Sequence, residues 1–180
     1  MKKIIVIIAI LFSLGLQAQV TKVVIQASGL TCSMCSNSIN KALKSLDFVQ
    51  KVDANIKNST FDISFKPGSK VDLDKLKKKV GDAGFSVAQF AVTMHFDNVA
   101  VINDGHTTVD GNVFHFLNIS NQVLNGDKTI RILDKGFVSL KEYRKNGKYT
   151  SLECYKTGVA GPCCLKDGLV KGTRVFQVTI

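Results

Sequence analysis

The sequence is organised around Gly29-Leu30-Thr31-Cys32-Ser33-Met34-Cys35. This stretch follows a run rich in β-branched residues at 20–27, and a run with helical periodicity begins near Cys35. Two thiols three residues apart, in a loop between a predicted strand and a predicted helix, can both point at one ion. The free N–H groups and the positive dipole end of the first helical turn favour thiolate over thiol. The stretch therefore predicts a metal-binding loop.

The sulfur ligands Cys32 and Cys35 limit which ion the loop can hold. Thiolates select Cu(I), Zn(II) and similar soft ions over hard cations, and Hg(II) belongs to the same class. Two ligands alone suit Cu(I) better than Zn(II), which normally takes four. We therefore expect Cu(I), with Zn(II), Hg(II) or another soft ion as alternatives. Met34, between the two cysteines, is expected to face solvent or a docking partner rather than the ion.

Hydrophobic periodicity predicts four strands and two helices over residues 19–94. The predicted strands cover residues 20–27, 52–56, 61–65 and 88–96, and the predicted helices begin near residues 35 and 73. The order β-α-β-β-α-β is that of the ferredoxin-like split βαβ arrangement, in which two helices cover one face of an antiparallel sheet. The predicted fold class is therefore α+β, with the cysteine pair in the first βα loop.

The sequence pattern of residues 95–180 predicts a smaller, mostly-β domain of unknown role. Turn signals such as Asp110-Gly111 and Asn125-Gly126 separate short alternating runs. The predicted strands cover residues 113–117, 129–133 and 174–178, and one short helix is predicted at 138–145. Such a set suits a small barrel or sandwich, with an OB-like fold as one form of it. The fourth strand of the first domain can also run straight on through residue 102, in which case the two domains share a strand.

Residues 1–18 have the pattern of a cleaved signal peptide. Lys2 and Lys3 precede an apolar run at 4–16, and small-residue cleavage chemistry follows at Leu16-Gln17-Ala18. The apolar run is shorter than the roughly 20 residues that span a membrane. We expect a periplasmic or secreted protein with no stable membrane insertion after cleavage. An uncleaved anchor is the alternative.

The charge of the chain is strongly positive, with 24 Lys+Arg against 14 Asp+Glu and a formal net charge of +10. Such a balance can suit nucleic acid, an anionic membrane surface or an acidic partner. The lysines are scattered, and the sequence has no arginine cluster and no alternation of aromatic and basic residues. We therefore expect no nucleic-acid binding, and the charge would instead steer the chain towards an acidic protein partner.

A second cysteine group consists of Cys154, Cys163 and Cys164, and the total of five means that not all cysteines pair within the chain. One interpretation is a disulfide from Cys154 to Cys163 or Cys164, worth about 2–4 kcal/mol. Another is a second soft-metal site, with three thiolates around Cu(I), or around Zn(II) with a histidine. Intermolecular pairing is a third. The histidines at positions 95, 106 and 115 are expected to be surface or hydrogen-bonded strand residues rather than ligands.

The motif Gly29-Leu30-Thr31-Cys32-Ser33-Met34-Cys35 closely resembles the G-M-T-C-x-x-C motif of heavy-metal-associated domains. These domains occur in copper chaperones, mercury-binding periplasmic proteins and the amino-terminal modules of metal-pumping ATPases. The resemblance spans about residues 19–94 and includes Asp82-Ala83-Gly84-Phe85 at the end of the second predicted helix. It implies that Cys32 and Cys35 are the metal ligands.

The resemblance also implies that Leu30, Thr31 and Phe85 support the loop. Phe85 would pack beside the metal loop. Leu30 stands where the family usually has methionine, whose side chain packs inward, and a Leu-for-Met exchange is usually mild.

Two functions from different classes use the same cysteine pair. The first is an exported, non-enzymatic protein that carries or buffers a soft ion and exchanges it with a metal-donor or acceptor protein through thiol ligands. The alternative is a periplasmic thiol–disulfide oxidoreductase. The chain has no Trp, and neither Pro67 nor Pro162 immediately precedes a predicted strand, where thioredoxin-like folds place a cis-proline. The sequence therefore favours the carrier.

Overall fold

The computed structural model describes residues 20–30 and 32–180 of the 180-residue chain. The predicted signal peptide at 1–18 and the predicted loop residue Thr31 lie outside the described residues. Across the part of the chain that is described, none of the helices combines the length and the apolar character that crossing a membrane requires.

The described residues form eight strands, four α-helices and two 3-10 turns. The strands are β1 Val20–Ser28, β2 Val49–Asn55, β3 Thr60–Phe65, β4 Ser86–Val101, β5 Gly105–Val109, β6 Asn112–Phe116, β7 Gln122–Ile132 and β8 Val175–Thr179. The α-helices are α1 Ser33–Lys44, α2 Leu73–Asp82, α3 Leu140–Asn146 and α4 Cys154–Thr157. The 3-10 turns are Gly147–Tyr149 and Pro162–Asp167.

The first six elements have the predicted β-α-β-β-α-β order, and their strands lie in the order β2-β3-β1-β4. In β3, Phe61 and Ile63 are buried and alternate with less buried neighbours, as a half-buried strand requires. The helix α1 buries Ile39 and Leu43 on one face. Asp72 caps α2 by accepting a hydrogen bond from the Lys75 N–H at 2.9 Å. The prediction of an α+β, ferredoxin-like first half is confirmed.

The second half continues the same sheet rather than closing on itself. All eight strands form one sheet in the order β2-β3-β1-β4-β7-β8-β6-β5, in which only β6 and β8 pair in parallel. The long strand β4 pairs with β1 on one side and with β7 on the other, from Ala91↔Arg131 to Val101↔Gln122. Because β7 covers what would otherwise be an unpaired edge of β4, the strands add outward in one sheet.

The separate barrel or sandwich expected at 95–180 is therefore not confirmed, and neither is its OB-like form. The strand β4 passes straight through residue 94, so the two halves share a strand, and the division of the chain at that residue stays a prediction. The predicted turn at Asn125-Gly126 is wrong, because both residues lie within β7. The positive φ of Gly126 is used at a bulge, where the pairing with β4 shifts register between Phe96 and Val99.

One hydrophobic core spans both halves of the chain. Phe90 in β4 meets Phe137 edge-on at 4.9 Å between ring centroids, and Phe137 in turn meets Phe176 in β8 at 6.2 Å. An ion pair also joins the halves, because the Arg174 Nε donates to Asp74 in α2 at 2.9 Å. These contacts hold the second half firmly against the first.

Candidate metal centre

The loop between β1 and α1 begins with Gly29, whose φ of +81° lies in the region that favours glycine. The next residue, Leu30, is half-buried and packs against the main hydrophobic core. Cys32 then has extended backbone angles and forms the N-cap of α1. This order of an open turn, an anchored side chain and a helix cap leaves Cys32 exposed at the helix start.

Cys32 and Cys35 interact directly at the first turn of α1. The Cys35 backbone N–H donates to the Cys32 Sγ at 3.3 Å, so the sulfur takes the place that an oxygen usually has in a helix cap. Hydrogen bonding from Cys35, from its side chain first and its backbone N–H second, lowers the pKa of the Cys32 thiol below its ordinary value of 9.0, because it stabilises the thiolate.

The charges along α1 favour an anion at its start. The first turn carries no acidic side chain, so no carboxylate competes for the positive end of the helix dipole. The last turn carries Lys41 and Lys44, which suit the negative end. In this described turn, the sulfurs of Cys32 and Cys35 therefore face no competing carboxylate.

The strand pairing brings Phe85 next to this loop. Ser28 at the end of β1 pairs with Ser86 at the start of β4, and the Ser28 hydroxyl donates to the Ser86 carbonyl at 3.2 Å. Phe85 directly precedes Ser86, is half-buried and packs against the main core. Leu30 and Phe85 therefore both pack on the core, close to the paired ends of β1 and β4 from which the loop leaves. Met34 is 79% exposed, as expected for a residue that faces solvent.

The structure also brings the second cysteine group together. Cys154 begins α4, and Cys163 and Cys164 lie in the 3-10 turn Pro162–Asp167. The three sulfur atoms all lie within 4.8 Å of one another, and those of Cys163 and Cys164 are 3.4 Å apart. No disulfide links the five cysteines, all of which lie in the described residues. We call Cys154, Cys163 and Cys164 the buried sulfur cluster, since two of the three are fully buried.

Two histidines lie beside this cluster, and both are hydrogen-bonded strand residues, as the sequence predicts. The side chains of His106 and His115 are almost fully buried, and their rings stack at 4.6 Å between centroids. The Cys154 sulfur lies 3.5 Å from His106 Nε2 and 3.8 Å from His115 Nδ1. His95, in contrast, is on the surface, where it contacts Asp127 at 2.9 Å.

A signal for this histidine pair was present in the sequence. Asp110-Gly111 is a hairpin signal, and the hairpin of β5 and β6 around it places His106 directly opposite His115. Burial lowers the pKa of His115 and raises that of the Cys154 thiol, so burial favours the uncharged forms of both groups.

Comparisons with known proteins concern the first half of the chain. Residues 24–86 match the model of the heavy-metal-associated domain family. The mercuric transport protein periplasmic component of Alcaligenes sp is 32% identical over 63 residues, which are 35% of this chain and 68% of that protein. A probable copper-transporting ATPase of Arabidopsis thaliana is 33% identical over 69 residues, 38% of this chain. Those residues are only 7% of the ATPase's own length.

Among solved structures, the chain is similar to oxidized MerP from Ralstonia metallidurans. The two are 31% identical, and the match covers 38% of this chain and 97% of that one, with a TM-score of 0.35.

Proposed function

The chain belongs through residues 24–86 to the heavy-metal-associated domain family, and on this premise we propose that it carries or buffers Cu(I) with Cys32 and Cys35. In this proposal the ion is cargo, and the chain passes it on by exchanging thiol ligands. The observation that carries the proposal is the pair of free cysteines at the uncompensated positive end of α1, with the sulfur of Cys32 exposed.

The choice of Cu(I) follows from the number and kind of the ligands. Two thiolates can satisfy a soft ion of low coordination number, whereas Zn(II) normally requires four ligands. The relatives support a soft ion, since one is named as a copper-transporting ATPase and another as a mercuric transport protein. Hg(II) fits the same two sulfurs, and Zn(II) would need ligands from elsewhere.

The exposure of Cys32 supports transfer by ligand exchange. A thiolate of the partner can form a third bond to the ion while both cysteines still hold it. One chain thiolate then leaves the ion and takes up the proton that the partner thiol released. A second partner thiolate binds, and the second chain thiolate leaves in the same way. The ion changes neither its charge nor its oxidation state, so the proposed role is that of a carrier and not of an enzyme.

The proposed partner is a metal-donor or metal-acceptor protein with an acidic docking surface. The formal net charge of +10, to which Lys2 and Lys3 of the predicted signal peptide contribute two, favours encounter with such a partner, and this attraction should weaken as salt is added. The signal-like pattern at residues 1–18 supports a periplasmic or secreted location.

Nucleic acid has no part in the proposal. The thiol–disulfide oxidoreductase is not favoured, since residues 24–86 match a metal-binding family and the β-α-β-β-α-β order departs from that of thioredoxin-like folds.

Ligand exchange can be tested by the kinetics of copper transfer. Reduced protein loaded with one equivalent of Cu(I) would be mixed in a stopped-flow instrument with a fluorescent Cys-x-x-Cys peptide that copper quenches. We expect the transfer rate to rise in proportion to the peptide concentration, because the incoming thiol takes part in the rate-limiting step. A rate that does not change with peptide concentration would mean that the ion dissociates first, and it would contradict the proposal. Met34→Leu is the control and should transfer copper at the same rate, since the Met34 side chain is exposed.

A further inference from the structure

The buried sulfur cluster has the dimensions of a metal site. An ion bonded to sulfur at 2.3 Å has its ligand atoms roughly 3.7–4 Å apart in tetrahedral or trigonal geometry. The three sulfurs of the cluster all lie within 4.8 Å of one another, and those of Cys163 and Cys164 are 3.4 Å apart. An ion at their centre could therefore reach all three after small side-chain adjustments.

The backbone around the cluster holds its two segments in place. The Ala160 N–H donates to the Thr173 carbonyl at 2.8 Å, and the Gly172 N–H donates to the Ala160 carbonyl at 2.9 Å. These bonds tie the chain between Cys154 and Cys163 to the segment that enters β8. Val113 and Val175 pack against the cluster from the sheet. Because the cysteine-bearing segments are fixed by the fold, little ordering is left for an ion to impose.

His106 adds a nitrogen atom beside the sulfur of Cys154. Its Nε2 lies 3.5 Å from the Cys154 sulfur, and its Nδ1 is 2.6 Å from a carboxylate oxygen of Asp167. A carboxylate behind the imidazole is the arrangement that orients metal-binding histidines in proteins. Asp167 lies in the same 3-10 turn as Cys163 and Cys164, so this turn contributes two sulfurs and also orients the nitrogen.

The nitrogens of His115 are already engaged. Its Nδ1 lies 2.7 Å from the Gln177 side-chain oxygen, and its Nε2 lies 2.9 Å from an oxygen of Asp104. His106, against which the His115 ring stacks, is therefore the candidate nitrogen ligand.

We propose that Cys154, Cys163 and Cys164 bind a second soft metal ion through three thiolates, at a site separate from the Cys32–Cys35 loop. Zn(II) would take His106 as its fourth ligand, and Cu(I) would be held by the sulfurs alone. This ion is a resident one, because two of its three ligands, Cys154 and Cys164, are fully buried. The ion bridges the Pro162–Asp167 turn and α4, which the fold already holds side by side.

The first test measures metal stoichiometry in a chain whose Cys32 and Cys35 are replaced by serine. The Cys32→Ser/Cys35→Ser protein would be reduced, incubated separately with Zn(II) and Cu(I), passed through gel filtration and analysed for metal. We expect one equivalent of ion to be retained, and we expect Cys163→Ser in that background to lose it. Cys163 is half-buried, so this change should leave the circular dichroism spectrum unchanged. If the Cys32→Ser/Cys35→Ser protein retained less than about a tenth of an equivalent of metal, the proposal would be overturned. Full metal retention after Cys163→Ser would overturn it as well.

The second test identifies the ligands by X-ray absorption of the retained ion. Three sulfur neighbours are expected. For Zn(II), one nitrogen neighbour should also be present and should disappear in His106→Gln but persist in His95→Gln, a matched change at an exposed histidine. Three sulfurs without nitrogen are expected for Cu(I). Fewer than three sulfurs, or a disulfide within the cluster that mass spectrometry detects in unreduced protein, would overturn the proposal. Because these variants lack the sulfurs of Cys32 and Cys35, neither result bears on copper binding by those two cysteines.

Discussion

Replacing Cys32 and Cys35 together by serine is expected to remove one equivalent of Cu(I) from the reduced chain. Serine keeps the shape of cysteine and can still cap α1, but its hydroxyl is a hard ligand that stays protonated near neutral pH. The helix should therefore form as before, while the soft-ion ligands are gone. Metal analysis after gel filtration, with circular dichroism as a check on folding, measures the effect.

Met34→Leu is the matched control for this loss, because it changes the third sulfur of the loop and keeps the side-chain volume. It should leave the copper content unchanged, since the Met34 side chain is 79% exposed. If the serine double variant bound as much Cu(I) as the unchanged chain, the loop would not be the copper site. If Met34→Leu lost copper as well, the assignment of the ligands to the two cysteines alone would be wrong.

Phe90→Ala is expected to lower the free energy of unfolding by about 3–5 kcal/mol, the usual range for a large aromatic side chain in a core. Phe90 is fully buried and meets Phe137 at 4.9 Å between ring centroids. Because Phe137 belongs to the second half of the chain, the cavity should weaken both halves together. Urea unfolding followed by circular dichroism should show one transition that moves as a whole to lower urea.

Phe65→Ala supplies the comparison for this stability change. Phe65 is only half-buried and packs at the margin of the core with Phe48, so its loss should be clearly smaller. Two separate transitions, of which Phe90→Ala shifts only one, would contradict a core shared by both halves. Such a result would instead favour two domains that unfold independently.

The first half of the fold could be predicted because its signals are local. Alternation in β3, the cap at Asp72 and the turn at Gly29 each depend on a few neighbouring residues. The element order then admits few arrangements, and the ferredoxin-like one is among the commonest. The cysteine loop followed from the same local reading, because its two thiols are three residues apart.

The second half could not be predicted in the same way, since its arrangement depends on pairings between distant residues. Nothing in the segment of β7 indicates that it pairs with β4, or that β8 pairs in parallel with β6. Gly126 shows the difficulty, because the sequence pattern of a turn here serves a bulge in a long strand. Turn and bulge both use a positive φ, and only the partner strand distinguishes them.

The meeting of cysteines and histidines in the second half illustrates the same limit. His106 and Cys154 are 48 residues apart in the chain, yet their side chains lie within 3.5 Å. Three cysteines within eleven residues indicated a cluster, and the structure adds the imidazole and its carboxylate partner. The pairing of β5 with β6 places the two histidines. The hydrogen bonds between residues 158–160 and the segment that enters β8 place the cysteines beside them.

Alkylation of individual cysteines, with and without copper, tests the metal-binding loop most directly. The pKa of Cys32 lies below its ordinary value because of its hydrogen bonds to Cys35, so more thiolate is present near pH 7 to 8 than in an unperturbed thiol. As pH falls from 9 towards 7, Cys32 should keep its reactivity longer than the buried Cys154, whose pKa is raised.

In reduced, metal-free protein treated with iodoacetamide, peptide mass spectrometry should find Cys32 alkylated far faster than Cys154. After addition of saturating Cu(I), Cys32 and Cys35 should both be protected from alkylation. If Cu(I) left the alkylation rates of these two cysteines unchanged, the claim that they bind the ion would be contradicted.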